Sequence, residues 1–109
     1  MTTAEQQLIR QATDRIQSIG ADIRRIILFG SRATGRAAPD SDYDILVVLD
    51  SKPVDKRQWR KRLYQSLRGL GGMIEPWVMS EEEFEETRNI VGSLAYPADH
   101  EGVPIYEKP

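Results

Sequence analysis

The chain has 109 residues, a length that suits a single domain spanning residues 1–109. Its 15 basic and 17 acidic side chains give a net charge of −2, which argues against an extended nucleic-acid-binding surface. The absence of cysteine and the presence of a single histidine exclude a disulfide scaffold, a thiolate metal site and a histidine-rich zinc site.

No apolar run approaches the ~20 residues that are needed to cross a bilayer, and the first residues lack the profile of a signal peptide. We therefore expect a soluble, cytoplasmic protein that makes no membrane contact. Its chemistry must rest mainly on carboxylates, hydroxyls, backbone groups and bound metal.

The first half of the chain predicts a helix, a strand, a short helix and a second strand. Thr3 with Gln6 matches a capping box that opens the first helix. The apolar face of this helix is formed by Leu8, Ala12, Ile16 and Ile19. Residues 24–29 are a short apolar run typical of a buried strand. Residues 31–41 favour a short helix followed by a turn, and residues 43–49 carry the strongest strand pattern of the chain.

The second half predicts a helix, a strand and another helix. Residues 54–70 are typical of a helix, and residues 73–79 of a strand in which Pro76 indicates an edge position or a bulge. Ser80 with Glu83 matches a second capping box, which opens the last predicted helix. The core-facing side of the first of these helices is formed by Trp59, Leu63 and Leu67. One side of the last helix is formed by Phe84, Thr87 and Val91.

Residues 103–106 then predict a short edge strand. Helices and strands alternate along most of the chain. This order indicates an α/β or α+β fold in which helices pack on a small mixed β-sheet.

Two aspartates at the start of the second strand are the first candidate site. Asp42 and Asp44 are two residues apart, so on a strand their side chains share one face at roughly 6–7 Å. Two carboxylates at ~6 Å repel by about 3 kcal/mol at an effective dielectric constant of ~20. A cation between them, or good screening by water, relieves this cost, and magnesium suits an oxygen-only site. The alternative is a polar turn before the strand.

Gly30 and Ser31 end the preceding strand and are the second candidate. A glycine at a strand end allows a ligand to approach the backbone, and the N–H groups of a following helix face an incoming phosphate. The alternative is a plain turn. The spacing from Gly30 to Gly35 also resembles a P-loop, but Arg36 stands where that motif requires lysine. Together, the two candidates predict that triphosphate and metal meet between successive strands, as phosphoryl or nucleotidyl transfer requires.

These residues resemble a known signature. Gly30-Ser31, ten further residues and then Asp42-Tyr43-Asp44 are similar to the Gly-Ser-x10-Asp-x-Asp pattern of the DNA polymerase β-like nucleotidyltransferase superfamily. Residues 29–35 and 41–47 closely resemble its minimal nucleotidyltransferase (MNT) branch. The resemblance implies the polymerase β-like nucleotidyltransferase fold, with two magnesium ions bound by Asp42 and Asp44. It also implies a third carboxylate on a later strand, for which Glu75 is the candidate, although the family usually has aspartate there.

The resemblance further implies an enzyme that transfers a nucleoside monophosphate, most simply AMP from ATP, to a hydroxyl group. Gly30 and Ser31 would bind the phosphates, and Glu75 would complete the metal site or act as the base. Arg32 and Arg36 would steady phosphates or merely cover a helix surface.

Family members of this size are typically antitoxins paired with a HEPN-domain ribonuclease toxin, so the implied acceptor is a tyrosine of that partner. The alternative is a non-catalytic antitoxin that neutralises the toxin by complex formation, and the departure from the family pattern at residues 75–77 motivates it. The basic residues of segment 56–62 are expected to form a solvated helix face or to attract an acidic partner.

Overall fold

The computed structural model describes residues 1–20 and 22–109. Within them lie, in chain order, α1 (Thr3–Gln17), β1 (Ile23–Phe29), α2 (Ser31–Thr34), β2 (Tyr43–Leu49), α3 (Lys56–Ser66), β3 (Ile74–Ser80), α4 (Glu81–Thr87), α5 (Ala95–Glu101) and β4 (Val103–Glu107).

The described strands form one sheet in the order β3-β2-β1-β4. Strand β1 is antiparallel to both β2 and β4, whereas β2 and β3 are parallel and are joined through α3. The sheet is therefore mixed, as predicted. None of the helices in residues 1–20 and 22–109 is long and apolar enough to span a membrane.

Helices cover both faces of the sheet. Because side chains alternate along a strand, Ile45 and Val47 of β2 pack toward α1 and α3, while Leu46 and Val48 pack toward α4 and α5. Both sets of side chains are fully or almost fully buried. This two-sided burial explains why β2 is a continuous apolar run in the sequence.

The N-terminal cap of α1 lies one residue earlier than predicted. Thr2 accepts the backbone N–H of Glu5 at 3.1 Å, and the Glu5 carboxylate accepts the backbone N–H of Thr2 at 2.9 Å. The predicted box of Thr3 with Gln6 was wrong because two overlapping pairs share the required spacing. The Glu5 carboxylate also pairs with Arg32, which favours the earlier pair.

Strand β3 is an edge strand, as Pro76 indicated. The carbonyl oxygen of Pro76 accepts a hydrogen bond from the Nε–H of Arg60 at 3.0 Å, on the side away from β2. Within a strand residue, N and C=O point to the same side, so the missing N–H of proline also faces away from the ladder. The proline therefore removes no hydrogen bond to β2.

The C-terminal region differs from the prediction. Helix α4 ends at Thr87, so Val91 lies beyond it and is 79% exposed rather than packed. Helix α5 was not predicted, although its Pro97 lies in the first turn, where a missing N–H costs little. Ser93 joins the two helices, since its hydroxyl donates to the Thr87 carbonyl at 2.7 Å and accepts the Tyr96 N–H at 3.1 Å. The predicted edge strand is confirmed as β4.

Candidate active site

The sheet registers bring three of the predicted site positions together. Phe29, the last residue of β1, is the partner of Asp44 on β2, and Asp44 is in turn the partner of Glu75 on β3. Register partners direct their side chains to the same face. Asp44 and Glu75 therefore lie on the face that carries α4 and α5, next to the point where β1 ends at Gly30.

Gly30 packs its backbone directly against the Asp44 carboxylate. Its φ of 77° and ψ of −159° lie in a region that is essentially restricted to glycine. A Cβ atom at this position would lie 2.5 Å from Oδ2 of Asp44, closer than real atoms approach. The turn thus requires glycine for two reasons, its backbone angles and the neighbouring carboxylate. The short helix α2 follows at once, and the N–H groups of Ala33 and Thr34 donate back to the Gly30 carbonyl.

The Asp44 carboxyl is electrostatically uncompensated. Burial raises its pKa, and the nearby negative charges of Asp42 and Glu75 raise it further. The indole N–H of Trp77 faces this carboxyl and opposes the rise. That N–H makes no hydrogen bond of normal geometry. Among the described residues, it is the buried side-chain polar group without a partner. A partly buried carboxylate, two acidic neighbours and an unsatisfied donor therefore meet at one place.

Glu75 is held from the edge of the sheet by two residues of α3. The Tyr64 hydroxyl donates to Oε1 of Glu75 at 2.5 Å, and Nη2 of Arg60 donates to the same oxygen at 3.0 Å. The Arg60 guanidinium also stacks 4.4 Å from the Trp77 ring centroid. The hydrogen bond to Glu75 raises the pKa of Tyr64, so the phenol keeps its proton over the neutral pH range.

The donor chemistry of these carboxylates fits a hard divalent cation. Asp42, Asp44 and Glu75 offer only oxygen ligands, which magnesium prefers. The burial of Asp44 and its acidic neighbours, which together raise its pKa, both disfavour the bare carboxylate, and a bound cation would relieve both. No group of three acidic, histidine or cysteine side chains is already gathered at metal-binding distance within residues 1–20 and 22–109. The Glu75 carboxylate is engaged by Arg60 and Tyr64 instead.

The contacts of Arg32 differ from the expected phosphate binding or cover of a helix surface. Its guanidinium donates to the Ser41 carbonyl at 2.9 and 3.1 Å and to the Pro39 carbonyl at 3.1 Å, and it pairs with Glu5 at 3.3 Å. It also stacks 4.3 Å from the Tyr43 ring centroid, and its side chain is 12% exposed. These contacts anchor the loop that precedes Asp42.

The other predicted phosphate-binding residues lie around the same turn. Ser31 is the first residue of α2 and is partly buried. Arg36 is exposed and follows the left-handed Gly35 that ends α2. Within the part of the chain that the structure describes, Arg36 forms no ion pair.

Sequence reasoning missed two residues that contact the site. Arg60 was assigned to a solvated basic face, and Tyr64 was not singled out, yet both contact Glu75. The signal was their spacing of four on α3, combined with the parallel pairing of β2 and β3. That pairing forces α3 to cross over beside β3.

Residues 9–96 match the family model of the nucleotidyltransferase domain, and the chain belongs to this family. The match confirms the predicted enzyme class, a nucleotidyltransferase. Members of the family generally use a nucleoside triphosphate and a divalent metal. No curated protein matches the sequence at a significant level.

Three solved structures share the fold. A protein from Sulfolobus solfataricus assigned as a nucleotidyltransferase has 20% identity and a TM-score of 0.66, over 99% of this chain and 90% of its own. A toxin–antitoxin structure with AMP-PNP has 16% identity and a TM-score of 0.60, over 92% of this chain and 73% of its own. A mutant of the toxin–antitoxin MntA–HpeT has 22% identity and a TM-score of 0.59, over 95% and 72%. These similarities confirm the predicted polymerase β-like nucleotidyltransferase fold.

Proposed function

We propose that this protein is a cytoplasmic, magnesium-dependent enzyme that transfers AMP from ATP to a hydroxyl group of a partner protein. The partner is a HEPN-domain ribonuclease toxin, the acceptor is one of its tyrosines, and the modification makes this chain an antitoxin. The observation that carries the proposal is the Asp44 carboxylate, which is partly buried beside Gly30 and has two acidic neighbours. Carboxylates with such perturbed environments cluster at functional sites.

Each site residue has a task in this proposal. The Gly30 backbone and the N–H and hydroxyl groups of Ser31 bind the β- and γ-phosphates. Arg36 is exposed and free to reach a phosphate, whereas Arg32 holds the loop in front of Asp42. Asp42, Asp44 and Glu75 would hold two magnesium ions. When bound, these ions neutralise the triphosphate and polarise its α-phosphorus.

Glu75 also acts as the general base. It accepts the proton of the attacking hydroxyl while pyrophosphate leaves. Oε1 of Glu75 already accepts a hydrogen bond from one hydroxyl group, that of Tyr64. An acceptor hydroxyl from the partner would have to take the place of Tyr64 there.

The toxin–antitoxin assignment is supported by the two fold relatives that are toxin–antitoxin proteins, one of them solved with AMP-PNP. The chain aligns with both over more than nine-tenths of its length. In this proposal the partner supplies part of the acceptor pocket.

A second candidate function is a non-catalytic antitoxin that neutralises the toxin by complex formation. One observation favours it: Glu75 is already bound by Arg60 and Tyr64, and no three-ligand group is gathered in the described residues. In this case the nucleotide is a ligand only.

The test is incubation of the purified chain with Mg-ATP and the protein encoded beside its gene, followed by intact-mass measurement. Transfer predicts one added AMP group on the partner that is lost with Asp42→Asn or Asp44→Asn and retained with Asp50→Asn. Asp50 is the matched control because it lies at the other end of β2. A complex that blocks RNA cleavage equally with every variant, without an adduct, would instead establish the second candidate.

A separate variant examines the third carboxylate. Glu75→Gln keeps the size and the hydrogen bond from Tyr64 but removes the charge and the base. We expect transfer to fall by at least about tenfold, the lower end of the range for loss of a general base or of a metal-supporting group. Unchanged transfer would remove Glu75 from the proposed site.

A further inference from the structure

One tyrosine already occupies the place of an acceptor hydroxyl. Tyr64 is 43% exposed on α3, and its phenol oxygen lies 2.5 Å from Oε1 of Glu75, the proposed base. The parallel register places Glu75 beside Asp44 on the adjacent strand, at a strand spacing of about 4.8 Å. The phenol is therefore one hydrogen bond away from the row of carboxylates.

We propose that Tyr64 is itself a nucleotide acceptor, so that the chain attaches a nucleoside monophosphate to its own Tyr64 hydroxyl in cis. The inference rests on the proposed function, because it uses the same triphosphate and the same carboxylates. It adds a modification site on this chain that does not depend on any partner.

The other three tyrosines lack this placement. Tyr43 is buried under the Arg32 guanidinium, and Tyr96 stacks on His100 with ring centroids 4.1 Å apart. Tyr106 belongs to β4, the edge strand opposite β3. Among the described tyrosines, Tyr64 is thus the one that contacts a site carboxylate.

Cationic residues surround Tyr64. Tyr64 lines a shallow groove of about 410 Å³, and the cationic residues that line it are Arg57, Arg60, Lys61 and Arg68. Arg60 reaches from this groove to Glu75, which connects the groove to the carboxylates. The groove therefore places positive charge beside the Tyr64 phenol.

The step balances without an additional reactant. The Tyr64 phenol oxygen forms a bond to the α-phosphorus, and the bond from that phosphorus to the bridging oxygen of the β-phosphate breaks. Pyrophosphate leaves with the bonding electron pair, and the phenol proton passes to Oε1 of Glu75. The product is a tyrosyl phosphodiester with one negative charge, next to the Arg60 guanidinium.

The test is incubation of the full chain alone with Mg-ATP, followed by intact-mass measurement and peptide mapping. We expect one AMP group per chain on Tyr64, none in Tyr64→Phe, and an unchanged adduct in the matched control Tyr106→Phe. The rate constant should be independent of protein concentration, because the reaction is intramolecular. Binding of the α,β-methylene analogue of ATP, read from the shift in melting temperature, should persist in Tyr64→Phe, whose ring is retained.

Three results would overturn the inference. They are an unmodified wild-type chain, an adduct mapped to another residue, and a rate constant that rises in proportion to protein concentration. The partner assay separates this failure from failure of the proposed function. If the wild-type chain modifies its partner but not Tyr64, the function stands and the cis acceptor does not.

Discussion

The two ends of strand β2 carry aspartates in opposite electrostatic states. Asp44, near the start of the strand, has a raised pKa because it is partly buried and has acidic neighbours. Asp50, directly after the strand, has a lowered pKa because Lys108 and Arg24 donate hydrogen bonds to it. The same residue type, six positions apart, is therefore left uncompensated at one end and neutralised at the other.

The arginines of the neighbouring elements pair with other groups. Arg60 pairs with Glu75, the register partner of Asp44, and Arg32 pairs with Glu5 and with loop carbonyls. At the other end, Arg25 donates to Glu81 at 2.6 and 3.1 Å, so the acidic groups there are matched by basic ones. Among the described residues these cations pair with other groups and not with Asp44, as the proposed metal site requires.

The largest expected effect comes from Asp44→Asn, which removes the uncompensated charge. We expect nucleotide transfer to fall by at least about 100-fold, because loss of a metal ligand exceeds the 10- to 100-fold cost of losing a supporting group. We also expect the melting temperature at pH 7 to rise. A group with a raised pKa contributes stability below its ordinary value of 3.8 and loses that contribution as the pH rises through the folded-state pKa.

The stability gain of Asp44→Asn should therefore be present at neutral pH and disappear in acid, where the wild-type carboxyl is protonated. Thermal melts between acid and neutral pH measure it. A melting temperature that falls at pH 7 would show that the wild-type carboxylate is compensated after all, and the contrast between the two ends of β2 would be lost.

Two glycines with the same φ provide the next test. Gly30→Ala places a Cβ 2.5 Å from the Asp44 carboxylate and forces a glycine-only region of backbone angles, which costs about 1–3 kcal/mol of stability. Gly35→Ala has the same φ of 77°, but nothing lies within 4 Å of its Cβ. It should cost about 1 kcal/mol, the usual penalty for the left-handed region.

Denaturant unfolding and the transfer assay together measure this pair. We expect Gly30→Ala to lose transfer as well as stability, because Asp44 must move, whereas Gly35→Ala loses stability alone. Equal transfer by the two variants would argue that the close approach of Gly30 to Asp44 has no role in the site.

Arg32→Lys tests whether the loop before Asp42 depends on a guanidinium fork. Lysine keeps the charge but cannot donate to the Ser41 and Pro39 carbonyls at once, so we expect a loss of about 1 kcal/mol. The matched control is Arg36→Lys, an exposed position where the change in stability should stay within about 0.5 kcal/mol. An equal cost at both positions, measured by denaturant unfolding, would count against the anchoring role.

Local sequence patterns predicted the structural features that depend on residues close to each other in the chain. The strand of residues 43–49, the edge position of Pro76 and the short helix after Gly30 could all be predicted because each follows from spacing or from a single backbone constraint. The cap of α1 was misplaced by one residue, since only the contact of Glu5 with Arg32, 27 positions away, separates the two possible pairs.

The rest depends on tertiary contacts. Arg60 and Tyr64 become neighbours of Glu75 only through the crossover of α3, and the contact of Gly30 with Asp44 needs the β1–β2 register. Helix α5 was missed because Pro97 is usually a helix breaker, and only its first-turn position makes it tolerable. That Asp42, Asp44 and Glu75 bind metal stays a prediction.

The smallest expected effect belongs to Asp50→Asn, which removes the compensated charge at the far end of β2. Lys108 and Arg24 hold the pKa of Asp50 below its ordinary value of 3.8, so its contribution to stability is present above that pH and is lost as the pH falls through the lowered pKa. Asp50→Asn should thus lower the melting temperature slightly at pH 7, less so in high salt and not at all in strong acid.

This response is opposite in sign to that of Asp44→Asn, and transfer should not change because Asp50 lies outside the proposed site. Melts at low and high salt over the same pH series measure both variants side by side. If both aspartate variants shifted the melting temperature in the same direction at pH 7, the two ends of β2 would not differ in charge compensation. The uncompensated state of Asp44 could then no longer mark the place where a cation binds.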